Sequence, residues 1–421
     1  MKIWLIYPYG SIPGEGLRPD RPSMIGTALA SAGHEVVWWG SNIEHRSKTV
    51  RSEEWKDIEI APNFTLRLVP TFRYDKNISI KRILYEKKYG QLVYIRAQEY
   101  LTPELIIMGE PALFLCKSIL KLVKETGAKL LLDRLDLWPE LFHMVLPTPF
   151  KKMGKLIFAP LYYRRRSLFK KADAIIAASE NYLKLALENA PKLPLEYTET
   201  VYFGIDVAEQ RRAMKKSFKL PLPLQNVTRT EGEIWAIYAS TLGHNYDLKT
   251  LLEASKLLTD RKVNVKLLIA GTGPLTDYVV SYITHNNLRQ TVYIGNPDSD
   301  TLAHIYSFCD IGLSMYRKSS TVSMPIKAFH YFAAGLPIVN SLVGDLAKFI
   351  STYNTGLNYE AENPDSLAST LQKLASDHSK LKVIAKNSYD LASLFDINIQ
   401  YEKLVNLVRK IKLELLKQTE N

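Results

Sequence analysis

Lys2-Ile3-Trp4-Leu5-Ile6-Tyr7-Pro8-Tyr9 is a β-rich strand candidate that passes into the loop Gly10-Ser11-Ile12-Pro13-Gly14-Glu15-Gly16-Leu17-Arg18 and then into a helix-spaced run, Met24 to Ala32, ended by Gly33. Strand, polar loop and helix in that order are the repeating unit of a parallel sheet covered by helices. Gly33 falls where a helix C-cap favours the left-handed backbone that glycine adopts freely. The rhythm continues outward from this unit. Further strand candidates in the first half are Glu35 to Gly40, Phe64 to Pro70, Glu104 to Met108, Lys129 to Asp133 and Ala174 to Ala178.

Residues 206–233 lose this periodicity, and Lys219-Leu220-Pro221-Leu222-Pro223 followed by Asn226 to Gly232 reads as a linker. The rhythm restarts at Ile234 to Ala239, Val265 to Ala270, Thr291 to Ile294, Ile311 to Met315 and Pro337 to Asn340. With 421 residues, more than one core usually supports, the chain divides into two α/β domains, 1–205 and 234–396. Leu404, Leu407, Val408, Ile411 and Leu415 stand at helical spacing in a terminal amphipathic helix, 397–421, expected to pack across the domain junction or to lie on lipid.

Composition is that of a folded protein, 46% hydrophobic and 23% charged. Cys116 and Cys309 lie in apolar stretches and imply no disulfide framework. The N-terminus lacks a signal-peptide pattern, which predicts a cytoplasmic protein. No apolar run reaches the roughly 18 to 20 residues that span a bilayer. A net charge of +12 asks for an anionic partner: phosphate-bearing ligand, acidic lipid or nucleic acid.

In open α/β sheets ligands bind beyond the carboxyl ends of the strands, so the loops there carry the candidates. The Gly10 to Arg18 loop suits close approach of a sugar or phosphate, or is simply a flexible turn; its spacing is not the dinucleotide fingerprint. Leu132-Asp133-Arg134-Leu135-Asp136-Leu137-Trp138-Pro139-Glu140 joins carboxylates, an arginine and an indole, a mixture that suits carbohydrate. A charged turn capping a helix fits it equally. In the second half, Tyr238-Ala239-Ser240-Thr241-Leu242-Gly243-His244-Asn245-Tyr246-Asp247 and Gly271-Thr272-Gly273-Pro274 close successive strands and together point to a polar ligand.

The segment Arg317 to Pro337 is the most informative. Ser323, two residues before Pro325, predicts a helix N-cap whose amides would face Ser320 and Thr321, with Lys327 one turn in. Such a helix end is either a capped surface helix or a diphosphate site.

Here the sequence resembles glycosyltransferase family 4, in its bacterial cell-surface polysaccharide branch, whose Pro-x-Lys-x-x-Glu-Tyr-Met-Ala-x-Gly-x-Pro motif looks like Pro325 to Pro337. Glu15 with its flanking glycines, Arg18, Arg21, Asp136 to Glu140, Ala172 to Ser179 and Gly243 to Asp247 add to it in order. The resemblance implies a GT-B fold: two Rossmann-like domains with parallel sheets facing a central cleft, the first binding acceptor and the second a nucleotide sugar. It implies retaining transfer to a glycan or lipid-linked glycan, without an essential metal or other cofactor. Donor candidates are Thr241, Gly243, His244, Gly271, Ser320, Thr321, Lys327 and His330. Acceptor candidates are Gly14, Glu15, Gly16, Arg18 and Asp136, and Asp136 and Lys327 are the catalytic candidates. Two family glutamates are absent, with Val322 and His330 in their places. A non-catalytic subunit of the same fold, or a nucleotide-sugar epimerase, is therefore the alternative.

Between Phe150 and Lys171 eight cations and no carboxylate are interleaved with aromatic and aliphatic residues. Lys151, Lys152, Lys155, Arg164, Arg165 and Arg166 are candidates for docking on the anionic inner face of the cell membrane. No nucleic-acid-binding or metal-binding motif accompanies the charge, so nucleic acid is not expected as a partner.

Overall fold

The computed structural model describes residues 1–15, 19–77, 79–110, 113–146, 148–225 and 227–419. Two compact units emerge. One comprises Met1–Tyr202 with the chain from Gln400 onward, the other Phe203–Ile399.

The first unit is built on β1 (Lys2–Ile6), β2 (Glu35–Ser41), β3 (Lys56–Ala61), β4 (Phe64–Val69), β5 (Leu105–Glu110), β6 (Lys129–Arg134), β7 (Ala174–Ala177) and β8 (Thr198–Thr200). Their order is β3-β4-β2-β1-β5-β6-β7-β8, parallel except for β3 against β4. Central strands read as continuous apolar runs because helices cover both faces. β5 and most of β6 are buried throughout. The first helix, Arg21–Ser31, starts three residues before its predicted position, and Gly33 has a φ of +82°.

In the second unit β9 (Ile234–Ala239), β10 (Val265–Ala270), β11 (Thr291–Tyr293), β12 (Ile311–Ser314), β13 (Ile338–Asn340) and β14 (Gly356–Asn358) form the all-parallel order β11-β10-β9-β12-β13-β14. The stretch read as a linker contains the helix Val207–Lys215, which belongs to this unit. Asp206 caps it by accepting from the Glu209 amide at 2.7 Å, and Val207, Gln210 and Ala213 face inward at helical spacing.

The terminal helix runs Ile397–Thr419, and from Gln400 on it belongs to the first unit. Leu404, Leu407, Val408 and Ile411 are buried, and the Gln400 side chain accepts from the Tyr202 amide at 2.9 Å. No described helix is long and apolar enough to cross a membrane.

Candidate functional site

In the second sheet the chain leaves β9 toward β10 on one side and later returns to lay β12 on the other. The loops after β9 and β12 therefore diverge, leaving the crevice where ligands of such sheets bind. Tyr331 marks the base of that gap. Its hydroxyl lies 3.3 Å from the carbonyl oxygens of both Ile237 on β9 and Leu313 on β12, and accepts from the Ala239 amide at 3.2 Å. A Cβ at position 312 would come within 2.5 Å of the Tyr331 ring, so Gly312 is what lets the ring in.

Above this wedge stands Lys327, on the helix Ile326–Ala333. Its Nζ lies 4.6 Å from the ring centroids of Tyr238 and Tyr246 and 5.0 Å from that of Tyr316. It is buried and has no hydrogen-bond partner among the described residues. Burial pushes its pKa down to about 7, since a cation loses water there and gains no counter-ion. The tyrosines meanwhile offer ring faces that favour a cation. Tyr238 and Tyr316 are themselves pushed well above the usual tyrosine range by burial. Tyr238 and Tyr246 stand in the stretch read as closing β9, but the cage they form with Tyr316 was not foreseen, because the three come from β9, the loop after it and the loop after β12, with no common spacing.

The loops around Lys327 take several expected residues. Thr241 and His244 are exposed, Gly243 is half-buried, and Asp247 caps the helix Leu248–Asp260. Ser320 and Thr321 are half-buried; the Ser320 hydroxyl accepts from the Val322 amide at 3.3 Å. His330 lies further along the same helix, with Nδ1 2.5 Å from Gln210 Oε1, while Gln210 Nε2 donates to the His330 carbonyl at 3.1 Å.

One reading here is corrected. Ser323 does not cap its helix; Pro325 holds the N-cap position. The Ser323 hydroxyl instead donates to the Asp345 carboxylate at 2.9 Å and accepts from the Asp345 amide at 3.0 Å. Gly271, a donor candidate, also packs the loops together. A Cβ there would lie 1.9 Å from the Ser240 carbonyl oxygen, φ is +125°, and its amide donates to Gly295 at 2.7 Å. Side chains would force the loops after β9 and β10 apart.

In the first unit, Asp133 is a structural anchor. Arg21 grips it through Nε at 2.9 Å and Nη2 at 2.8 Å, and the Tyr7 hydroxyl donates at 2.7 Å, all fully buried. Asp136 is half-buried at the end of β6, accepts from the Leu137 amide at 2.8 Å, and is raised by burial. Beneath it Glu110 and Arg134, side by side on β5 and β6, are fully buried 3.9 Å apart with no hydrogen-bond partner among the described residues. Burial lifts Glu110 to about 7. Glu110 was not foreseen, since an acidic residue ending an apolar strand carries no signal of burial.

Glu15, expected to meet acceptor, is held by Arg51 at 2.6 and 2.7 Å and by the Ile12 amide at 2.9 Å. Gly14 is exposed, while Gly16 and Arg18 lie outside the described residues. Trp138, read as a sugar-stacking face, is buried, with Arg82 4.6 Å over its ring and Phe142 at 4.7 Å. Of the basic segment, Lys152, Lys155 and Arg166 are exposed and Arg164 is half-buried; the Lys151 side chain lies outside the described set. Arg165 corrects the docking reading: it is buried, donating to the Trp138 carbonyl and the Glu140 carboxylate, each at 2.6 Å. Among the described residues no group of three or more His, Cys, Asp or Glu side chains is placed to share a metal ion.

These two sheets define a GT-B architecture. The chain superposes on sucrose-phosphate synthase from Thermosynechococcus elongatus with a TM-score of 0.70 at 17% identity, covering 98% of this chain and 99% of that one. It superposes on Anabaena HepE in complex with UDP at 0.64 and 16% identity, over 97% and 100%. Residues 224–391 match the family model Glycosyl transferases group 1. An uncharacterized glycosyltransferase of Methanocaldococcus jannaschii is 28% identical over 190 residues, 44% of this chain and 47% of that protein, so the chain spans about half the length of this relative.

Proposed function

We propose that the protein is a glycosyltransferase that takes a sugar from a nucleotide-sugar donor held by the second unit. The observation that carries this reading is Lys327: a buried amine without a counter-ion among the described residues, set among the rings of Tyr238, Tyr246 and Tyr316 where the strand order reverses. A donor diphosphate supplies the missing negative charge. Thr241, Gly243, His244, Ser320 and Thr321 line the same loops, and His330 faces the ribose. The group 1 match over residues 224–391 and the UDP bound to Anabaena HepE support a nucleotide sugar.

In the reaction the bond between the anomeric carbon and the diphosphate oxygen breaks, and an acceptor hydroxyl oxygen bonds to that carbon. The hydroxyl proton passes to the departing diphosphate on the same face, giving retention. No protein nucleophile and no metal is needed. The charged Lys327 stabilises the growing negative charge from a low-dielectric position, where electrostatic stabilisation is strongest. Asp136 orients the acceptor hydroxyl. The acceptor in this reading is a glycan or lipid-linked glycan of a cell-surface polysaccharide, met at the inner face of the membrane by the basic segment.

Calorimetric titration with UDP, GDP, ADP, CMP and dTDP tests the donor site, followed by nucleotide release with and without acceptor. Saturable micromolar binding of one nucleotide is expected. If none binds folded protein at millimolar concentration, the reading fails and a non-catalytic subunit takes its place.

A further inference from the structure

The first unit contains an apolar pocket of about 290 Å³, lined by Ile80, Ile83, Phe114, Phe142, Phe158 and Leu161 over a floor of Trp138, Arg82 and Glu86. Arg82 and Glu86 in its floor are tied into the protein. Arg82 donates to the Tyr9 hydroxyl at 2.9 Å and the Asn77 carbonyl at 2.7 Å, and lies 4.6 Å over the Trp138 ring. Glu86 accepts from the Tyr9 hydroxyl at 2.7 Å and from the Phe114 amide at 3.3 Å. Asn77 and Ser79, also in the lining, bond within the protein as well: Asn77 Oδ1 accepts from Lys48 at 2.6 Å and the Ser79 hydroxyl donates to the Lys76 carbonyl at 2.9 Å. The rest of the wall is hydrocarbon and aromatic, and such a space gains most contacts from an apolar guest.

The surroundings set the guest's other end. Phe158 and Leu161 belong to the segment that holds Lys152, Lys155 and Arg164, with no carboxylate from 148 to 171. The Arg164 guanidinium lies 5.3 Å over the ring of Phe114, a wall residue, so a cation stands at the pocket itself. Ile80, another lining residue, is 77% exposed, and Leu156 is 72% exposed. A pocket that is apolar within and cationic beside its wall is complementary to a hydrocarbon chain joined to a phosphate.

From this we infer that the pocket receives the hydrocarbon chain of a lipid-phosphate acceptor, with the phosphate held by Arg164, Lys152 and Lys155. The inference deepens the glycosyltransferase reading and rests on it for the word acceptor. At about 30 Å³ per water-sized group the volume holds roughly ten such groups. Each buried methylene adds about 0.8 kcal/mol, so affinity should climb with chain length until the pocket is full.

The test is calorimetry on the full chain with inorganic pyrophosphate, a five-carbon prenyl diphosphate and a fifteen-carbon prenyl diphosphate. The fifteen-carbon compound should bind at least thirtyfold more tightly than the five-carbon one. Ile83→Trp, which fills the pocket and keeps every cation, should reduce that ratio below threefold, whereas Arg164→Gln should weaken both diphosphates and keep the ratio. Equal binding of the two compounds by the wild type overturns the inference even if Ile83→Trp fails to fold. So does an unchanged ratio in folded Ile83→Trp, or complete displacement of the long compound by phosphatidylglycerol vesicles, which would assign the pocket to bulk membrane lipid. Nucleotide titration of the same samples reads the donor site separately: a chain-length ratio without nucleotide binding defeats the transferase reading and leaves the pocket standing.

Discussion

Replacing Lys327 by methionine should make the protein more stable while removing donor binding. The side chains are similar in length, and methionine adapts to irregular apolar surroundings. A lysine ordinarily titrates near 10.5, and burial brings Lys327 down to about 7. At about 1.4 kcal/mol per tenfold change in proton affinity, the charged form is disfavoured by roughly 5 kcal/mol relative to an exposed lysine. The ring faces of Tyr238, Tyr246 and Tyr316 return part of this, cation–π contacts contributing about 0.5–2 kcal/mol each. The folded value is the depressed one, so the unfolded chain binds the extra proton between about pH 7 and 10.5. The penalty is fully present below 7 and fades as pH rises to 10.5. Lys327→Met should therefore gain about 2–4 kcal/mol near pH 6 and much less near pH 10, read by chemical denaturation at both. Nucleotide affinity should fall at least tenfold. A variant less stable than the wild type at both pH values, or one that keeps its nucleotide affinity, refutes the reasoning.

The same amine predicts that nucleoside diphosphate affinity falls as pH rises above about 7, approaching tenfold per pH unit, because binding must then recapture a proton. Titrations in buffers of different ionisation heat should show proton uptake in the wild type and none in Lys327→Met. Arg21→Leu strands the buried Asp133 carboxylate and should cost about 3–5 kcal/mol in denaturation. Arg165→Ala should cost stability, about 2–4 kcal/mol, by orphaning the Trp138 carbonyl and Glu140, without changing binding to phosphatidylglycerol vesicles. Lys152→Glu with Lys155→Glu should do the reverse, weakening vesicle binding by about fivefold or more per position at low salt and leaving stability alone.

Strand and helix period carried most of the architecture into view. β9 and β10 lie where the apolar runs place them, and β1, β2, β4 to β7 and β11 to β13 differ from expectation by a few residues at their ends. The three strands that escaped lack an apolar run. β3 pairs antiparallel at an edge, so Lys56, Asp57 and Glu59 are tolerated. β8 and β14 are three residues long and polar, Thr-Glu-Thr and Gly-Leu-Asn, unlike the equally short Thr-Val-Tyr and Ile-Val-Asn of β11 and β13. The helix Val207–Lys215 was hidden by its charge, because only one side of Val-Ala-Glu-Gln-Arg-Arg-Ala-Met-Lys faces the core.

The candidate site was legible at Lys327 and in the loops after β9 and β12, for these follow from the rule that ligands gather at strand ends. What the sequence could not separate was a polar residue facing a ligand from one serving the protein. Gly271 and Glu15 sit in the right loops, yet one accommodates a neighbouring carbonyl and the other is clasped by Arg51. Arg165 sits among exposed cations, yet its neighbours' carbonyl and carboxylate draw it inward. Each distinction depends on partners distant in sequence. Lys327 differs from all of them in having no hydrogen-bond or ion-pair partner among the described residues, only the ring faces of Tyr238, Tyr246 and Tyr316, so its charged form gains most from an anion supplied from outside the chain. Loss of nucleotide binding together with a gain in stability is therefore the pair of results a structural lysine would not produce.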